Sequence, residues 1–164
     1  IEALGPIGQW HLIGNLQTNK ARYAARLFHS VDTIDRIEAA EALNQRCSLE
    51  RRTMPVLIEV NTSGEATKRG VAPQDALELI RRIAPLEHLA VQGLMTMAPW
   101  FDDPQQARPC FTALRRLRDR LVQASIPRID LRELSMGMSD DYEIAVEEGA
   151  TLVRVGRLLF GERS

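Results

Sequence analysis

The chain of 164 residues contains few cysteines, lysines and aromatic residues, and the shortage of cysteine already argues against two classes of protein. Its two cysteines, Cys47 and Cys110, stand apart without CxxC spacing. They therefore fit a reducing cytoplasm better than a disulfide framework or a cysteine-ligated zinc site. The three histidines are scattered without the spacing of metal ligands, so we predict no metal site.

Long hydrophobic runs and an excess of charge of one sign are also missing. No apolar stretch approaches the length of a membrane-spanning helix, and residues 1–6 lack the basic and apolar segments of a signal peptide. The formal net charge of −1 gives no electrostatic reason to bind nucleic acid or an anionic membrane. With 45% hydrophobic and 26% charged residues, the composition predicts a soluble globular protein.

The chain does contain a regular alternation of strand and helix patterns. The predicted strands are 10–14, 31–34, 56–60, 89–97, 132–136 and 151–155. The predicted helices are 18–28, 35–46, 73–83, 105–124 and 140–148, with Asp35 as the cap of the second. In the fourth helix an apolar stripe is formed by Phe111, Leu114, Leu117 and Leu121, and Pro109 must lie in or near the first turn. Strands that alternate with helices form a parallel sheet with right-handed crossovers.

Six such units are two fewer than a (β/α)8 barrel contains, a fold of about 250 residues. The alternatives are an open doubly wound sheet and a (β/α)8 TIM-type barrel of which this chain carries about six of the eight units. Phosphate-binding features on the last two strands favour the barrel, and residues 1–6 resemble the end of a helix. We therefore expect residues 1–164 to form a single barrel domain that is incomplete at its amino terminus.

The segments that follow the last two strands have the character of an anion site. Ser139 or Asp140 is placed to cap the helix over 140–148, and the free N–H groups at a helix start favour an anion. Gly156 follows the last strand directly and would let the backbone approach a ligand closely. A (β/α)8 barrel holds phosphate with the loops after its last two strands. The alternative interpretation is an ordinary turn and helix cap.

Arg154 adds a charge to the same region. Side chains alternate along a strand, so Arg154 shares one face with Leu152 and Gly156. A guanidinium among aliphatic neighbours needs a partner, which either an internal carboxylate or a ligand atom would supply. Its alternative role is a structural ion pair. Glu59 is the one acid within a predicted strand that we consider as a catalytic candidate. A local structural role is the simpler assignment for it.

Six motifs then occur in a fixed order: WHLIGNLQTNK at 10–20, VLIEVNTSGEATKRG at 56–70, GLMTM at 93–97, LSMGMSDD at 134–141, VRVG at 153–156 and FG at 160–161. Together they resemble the pyridoxal 5′-phosphate homeostasis proteins, small single-domain relatives of the alanine racemase N-terminal barrel. The resemblance covers nearly the whole chain. It implies a protein that binds and carries pyridoxal 5′-phosphate without established substrate turnover, and hence not an enzyme.

The resemblance also implies which residues hold the cofactor. The phosphate would lie among Ser139, Gly156, Met138, Ser135 and the backbone N–H of Arg157, and Arg154 completes the set. Arg154 would face the pyridine nitrogen, where a fixed cation disfavours protonation and weakens the ring as an electron sink. Such a site suits holding the cofactor, or at most racemase-like chemistry, better than demanding carbanion chemistry.

The chain departs from the family in one respect, because the Schiff-base lysine near the end of the family's first strand has no counterpart. The two lysines of the sequence, Lys20 and Lys68, match other positions of the motifs. The chain as given is therefore not expected to hold the cofactor covalently at the usual site. For Lys68 two roles stay open, a solvated loop charge and a part in ligand capture or cofactor hand-off.

Two alternative functions are an amino-acid racemase and a phosphosugar enzyme. A pyridoxal-dependent amino-acid racemase of this barrel type needs a tyrosine base from a second domain, and the two tyrosines here, Tyr23 and Tyr142, offer no obvious source. A phosphosugar enzyme would need a pair of acids or lysines at the strand ends.

As partners the resemblance implies pyridoxal 5′-phosphate and apo forms of enzymes that use it, with a monomer at full length. Six units alone leave two sheet edges, so the isolated chain should be poorly soluble or oligomeric.

Overall fold

The computed structural model describes residues 8–161, which form one parallel six-stranded sheet flanked by helices. The strands are β1 (His11–Leu12), β2 (Ser30–Ile34), β3 (Met54–Glu59), β4 (Leu89–Met95), β5 (Glu133–Met138) and β6 (Leu152–Arg154). Each strand pairs in parallel with the next one along the chain. The helical crossovers required by parallel pairing account for the alternation seen in the sequence.

The helices are α1 (Ala21–Leu27), α2 (Ile37–Leu49), α3 (Ala76–Ile83), α4 (Arg108–Gln123), α5 (Tyr142–Glu147) and α6 (Arg157–Phe160). Single 3₁₀ turns, Thr18–Lys20 and Pro104–Ala107, precede α1 and α4. None of the helices within residues 8–161 is both long and apolar enough to cross a membrane.

The strand order decides between the two predicted architectures. The sheet runs β1-β2-β3-β4-β5-β6 without a reversal. In a doubly wound sheet the strand order reverses at a switch point, whereas in a (β/α)8 barrel each strand lies next to the one before it in the chain. The fold is therefore the α/β barrel type, represented here by six of the eight units. β1 and β6 are the two ends of this sheet.

The core lies between the sheet and the helices. The predicted stripe of α4 is buried against the sheet, with Phe111 and Leu114 fully buried and Leu117 and Leu121 nearly so. Pro109 lies in the first turn of α4, as predicted, where its missing N–H costs no helical hydrogen bond. Leu94 and Leu134, on the central strands, belong to the same cluster.

Several predicted element ends are wrong. β1 has two residues instead of the five of 10–14, and β4 ends at Met95, not at residue 97. Helix α2 begins at Ile37 with Arg36 as its N-cap residue, whereas Asp35 had been predicted to cap it. Asp35 instead accepts a hydrogen bond from the Arg36 guanidinium at 2.7 Å, so its carboxylate is engaged by a neighbour and not by the helix.

The largest difference concerns the predicted turn at 137–139, because β5 continues through Gly137 and Met138. Gly137 has φ +92°, and a Cβ added there would lie 2.5 Å from the Ala145 Cβ. A residue with a side chain is therefore excluded by conformation and by space. The pairing register shifts between Ser135 and Met138, which lets the irregular strand still pair Met138 with Arg154.

Helix α5 consequently begins at Tyr142, two residues later than predicted, with Asp141 as its N-cap residue. Neither Ser139 nor Asp140 caps it. The hydroxyl of Ser139 and the carboxylate of Asp140 instead bond to residues that follow β6. The two polar side chains thus connect neighbouring loops and do not cap a helix.

Candidate cofactor-binding site

Arg154, the last residue of β6, connects three neighbouring strands. Its guanidinium donates a hydrogen bond of 2.8 Å to the Ser135 hydroxyl on β5 and another of 2.8 Å to the carbonyl of Thr96, directly after β4. Within residues 8–161 its hydrogen-bond partners are thus a hydroxyl and a carbonyl. Of the two alternatives left open by the sequence, an internal carboxylate is not the partner of Arg154 in this part of the chain, and a ligand atom stays a prediction. Neutral acceptors hold the guanidinium in place without neutralising its charge.

Carboxylates surround Arg154 without forming an ion pair with it. Burial lowers the pKa of the guanidinium, while the negative charges of Asp32, Asp141 and Glu59 oppose that effect. Burial likewise raises the pKa of Glu59, which is 3% exposed. The site therefore has a half-buried cation whose countercharge is spread over several acids, and an anionic group can approach Arg154 without having to displace a bound carboxylate.

Ser139 and Gly156 form a small cradle at the ends of β5 and β6. The backbone N–H of Gly156 donates to the Ser139 hydroxyl at 3.2 Å. Nothing lies within 4 Å of the position that a Cβ on Gly156 would occupy, so the space on that side of its Cα is open. A hydroxyl and a backbone N–H side by side, next to open space, fit the oxygens of a phosphate monoester.

Met138, the third predicted phosphate contact, has its N–H engaged by the protein. The N–H donates a hydrogen bond of 2.6 Å to the carboxylate of Asp141, a side chain that is itself buried. A phosphate oxygen that used this donor would have to displace Asp141. Ser135, the fourth predicted contact, is buried and accepts from Arg154, so it positions the cation beside the cradle.

Arg157 contributes more than the backbone N–H that was predicted. It is the first residue of α6, and its guanidinium forms an ion pair with the carboxylate of Asp140, in the turn after β5. The pair joins the two loops that carry Ser139 and Gly156. All six predicted site residues therefore lie on β5, on β6 or directly after one of these strands, and their contacts to a cofactor stay a prediction.

Three participants were not recognised from the sequence as site residues: Thr96, Asp140 and Asp141. Each lies inside a recognised motif, GLMTM or LSMGMSDD, which was the available signal. Asp32 is a second acid within a strand, besides Glu59, that the sequence analysis did not recognise. It is buried on β2, where it accepts hydrogen bonds from the Ser30 hydroxyl at 2.5 Å and lies 3.0 Å from the Nδ1 of His11.

The two lysines lie outside the sheet. Lys20 ends the 3₁₀ turn after β1 and lies over the ring of Tyr23, 5.7 Å from its centroid. Lys68 is half-buried in the loop over 61–70, whose carbonyls at residues 65 and 68 accept from the Asn61 side chain. Among residues 8–161 there is also no group of three His, Cys, Asp or Glu side chains that could hold a metal ion.

The family model of the alanine racemase N-terminal domain matches residues 1–164. The chain belongs to this family. It is 45% identical to the pyridoxal phosphate homeostasis protein of Aquifex aeolicus over 155 residues, which are 94% of this chain and 67% of that protein. The corresponding protein of Vibrio cholerae is 43% identical over 155 residues, covering 94% of this chain and 64% of its own length.

Among solved structures, PipY of Synechococcus elongatus with pyridoxal phosphate bound superposes with a TM-score of 0.87 at 34% identity. The match covers 97% of this chain and 73% of PipY. The chain spans about two thirds of the length of the curated relatives.

Proposed function

We propose that this protein binds pyridoxal 5′-phosphate and serves in its homeostasis as a carrier, without turning over a substrate. The observation that carries the proposal is the grouping of Arg154, Ser139 and Gly156 at the ends of β5 and β6. It is supported by relatives that are named pyridoxal phosphate homeostasis proteins. The site suits one cofactor molecule with its phosphate at the cradle and its ring towards Arg154.

Each group has a physical role in this proposal. The Ser139 hydroxyl and the Gly156 N–H donate hydrogen bonds to phosphate oxygens, which accept strongly because they are charged. Arg154, fixed by Ser135 and Thr96, presents a permanent cation to the pyridine nitrogen and disfavours its protonation. When bound, pyridoxal 5′-phosphate supplies a reactive aldehyde, and the residues of this chain hold and orient it.

The test is equilibrium dialysis of the purified protein against pyridoxal 5′-phosphate. We expect Ser139→Ala and Arg154→Gln to weaken binding by about tenfold each, because each removes a hydrogen bond or charge from the site. The control is Arg132→Gln, which removes an exposed guanidinium paired with Asp130 near the start of β5. Equal affinity in all four proteins would contradict the proposed site.

Attachment of the cofactor should be non-covalent in this chain. Lys20 and Lys68 both lie off the strands, so no lysine is held at an inward-facing strand position. After incubation with the cofactor and reduction by borohydride, the intact mass of the 164-residue chain should be unchanged. A stoichiometric adduct would overturn this part of the proposal and direct attention to Lys68.

The proposal includes no racemase activity. The hydroxyl of Tyr142 donates to the neighbouring Glu143 at 3.2 Å, and Tyr23 is exposed on α1 beside Arg22, so neither is a poised base. We expect no interconversion of L- and D-alanine when the protein is supplied with the cofactor.

We further propose a single domain that is monomeric at full length, acts in the cytoplasm and passes its cofactor to apo enzymes.

A further inference from the structure

The ion pair between Asp140 and Arg157 lies at the mouth of the proposed phosphate cradle. Asp140 adjoins Ser139, and Arg157 adjoins Gly156, so the pair bridges the two loops that supply the cradle. Its side chains are 44% and 48% exposed, respectively. Ion pairs at such exposure contribute little to stability because water screens them, so this one can open at small cost.

The cradle satisfies its own donors in the structure. Gly156 N–H donates to Ser139, Met138 N–H donates to Asp141, and the Arg157 guanidinium donates to Asp140. A phosphate dianion offers the same donors a stronger acceptor than a hydroxyl or a single carboxylate. It also offers a guanidinium the bidentate geometry that makes arginine a preferred phosphate ligand.

We propose that the side chain of Arg157 is a phosphate ligand and that Asp140 holds it when the site is empty. On this view, which rests on the proposed function, Arg157 exchanges its bond to Asp140 for one to the cofactor phosphate. Asp140 then determines affinity in two ways. It competes for the guanidinium, and its negative charge lies beside the incoming dianion.

Two substitutions have opposite expected effects. Arg157→Gln should weaken the binding of pyridoxal 5′-phosphate by about tenfold, because a charge-assisted bond is lost. Asp140→Asn should strengthen it about threefold, because the competitor and the repulsion are both removed. Inorganic phosphate should follow the same order as a competitor. Pyridoxal, which has no phosphate, should bind the variants and the unmodified protein alike.

The matched controls are Arg132→Gln and Asp130→Asn, a second exposed ion pair, with a separation of 2.8 Å, away from the cradle. Neither should change the affinity for the cofactor or for phosphate. Circular dichroism melts of every variant establish that the comparison is made between folded proteins. Raising the salt concentration should weaken binding less in Arg157→Gln than in the unmodified protein, because one charge fewer meets the phosphate.

The outcomes separate this inference from the proposed function. If the unmodified protein does not bind pyridoxal 5′-phosphate, both fail. If it binds and Ser139→Ala weakens binding while Arg157→Gln behaves like Arg132→Gln, the proposed function stands and the role of the Arg157 side chain is refuted. If Asp140→Asn binds no more tightly than Asp130→Asn, Asp140 does not compete and the exchange is refuted.

Discussion

Glu59 is a buried acid near the proposed site, and its charged form is unfavourable in the folded protein. It is the last residue of β3 and is almost completely buried. Its carbonyl accepts from the N–H of Val71 at 2.8 Å, whereas its carboxylate has no hydrogen-bond donor among residues 8–161. Its pKa is raised first by burial and then by the charge of Asp35, while Arg69 and Arg154 lower it. The charged form of Glu59 is therefore disfavoured in the folded protein.

We predict that Glu59→Gln stabilises the protein at pH 8. A carboxyl group whose folded pKa is raised stabilises the fold below its unfolded pKa and loses that contribution as the pH rises through the folded value. The amide keeps the shape and removes the charge, so the variant should have a higher free energy of unfolding than the unmodified protein. The gain should shrink as the pH falls towards 4.5, the ordinary value for a glutamate.

Urea denaturation across this pH range measures the difference. Glu41→Gln is the control, because Glu41 is exposed on α2. It should change the free energy of unfolding little at any pH. A Glu59→Gln protein that is less stable than the unmodified one at pH 8 would show that Glu59 is held as a favourable charge.

Helix α5 illustrates how a short element depends on a neighbour. It has six residues, too few for an isolated helix to be stable. Glu148, its C-cap residue, accepts hydrogen bonds from Arg108 at 2.9 Å, Thr112 at 2.9 Å and Arg115 at 3.1 Å, all on α4. These bonds fasten the helix that follows the cradle to the longest helix of the fold.

At this scale we predict that Glu148→Gln destabilises the protein at neutral pH. Hydrogen bonds from Arg108, Thr112 and Arg115, in that order, lower the pKa of Glu148 to about 2. A carboxyl group with a lowered folded pKa stabilises the fold above its unfolded pKa and loses this contribution as the pH falls through the folded value. We expect the melting temperature at pH 7 to fall by roughly 2–4 °C.

The difference in melting temperature should disappear between pH 4.5 and about 2, where the unmodified carboxyl also becomes neutral. Asp119→Asn provides the control, because within residues 8–161 the ion-pair partner of Asp119 is the adjacent Arg118 on α4. That variant should melt with the unmodified protein at pH 7. If Glu148→Gln does the same, the bonds between α4 and α5 contribute nothing measurable.

The elements themselves could be predicted from periodicity, whereas their ends and tertiary partners could not. Alternating strands and helices indicated the parallel sheet, and the stripe of α4 indicated its buried face. The continuation of β5 through Gly137 depends on the close approach of Ala145, which periodicity does not encode. Likewise Thr96 accepts from Arg154 across 58 residues of sequence, through the carbonyl that any residue has.

At the scale of the whole molecule, the sheet ends at two strands that are not hydrogen-bonded to each other. β1 has two residues and β6 has three, so each edge offers few unpaired N–H and C=O groups to another chain. The apolar residues of α6 are a larger liability. Leu158, Leu159 and Phe160 are 59%, 68% and 86% exposed in the described part of the chain.

We therefore predict that the 164-residue chain, expressed alone, self-associates mainly through α6. Light scattering should give an average mass above 18.4 kDa that rises with protein concentration. Replacing Leu159 and Phe160 by serine should shift the protein towards monomer, because burial of apolar surface drives such association. Lys substitution at Val153, which is exposed on β6, should have a smaller effect, since it alters only the short edge. A larger effect of the Val153 change would mean that strand pairing drives association, and a monomer at all concentrations would show that neither surface does.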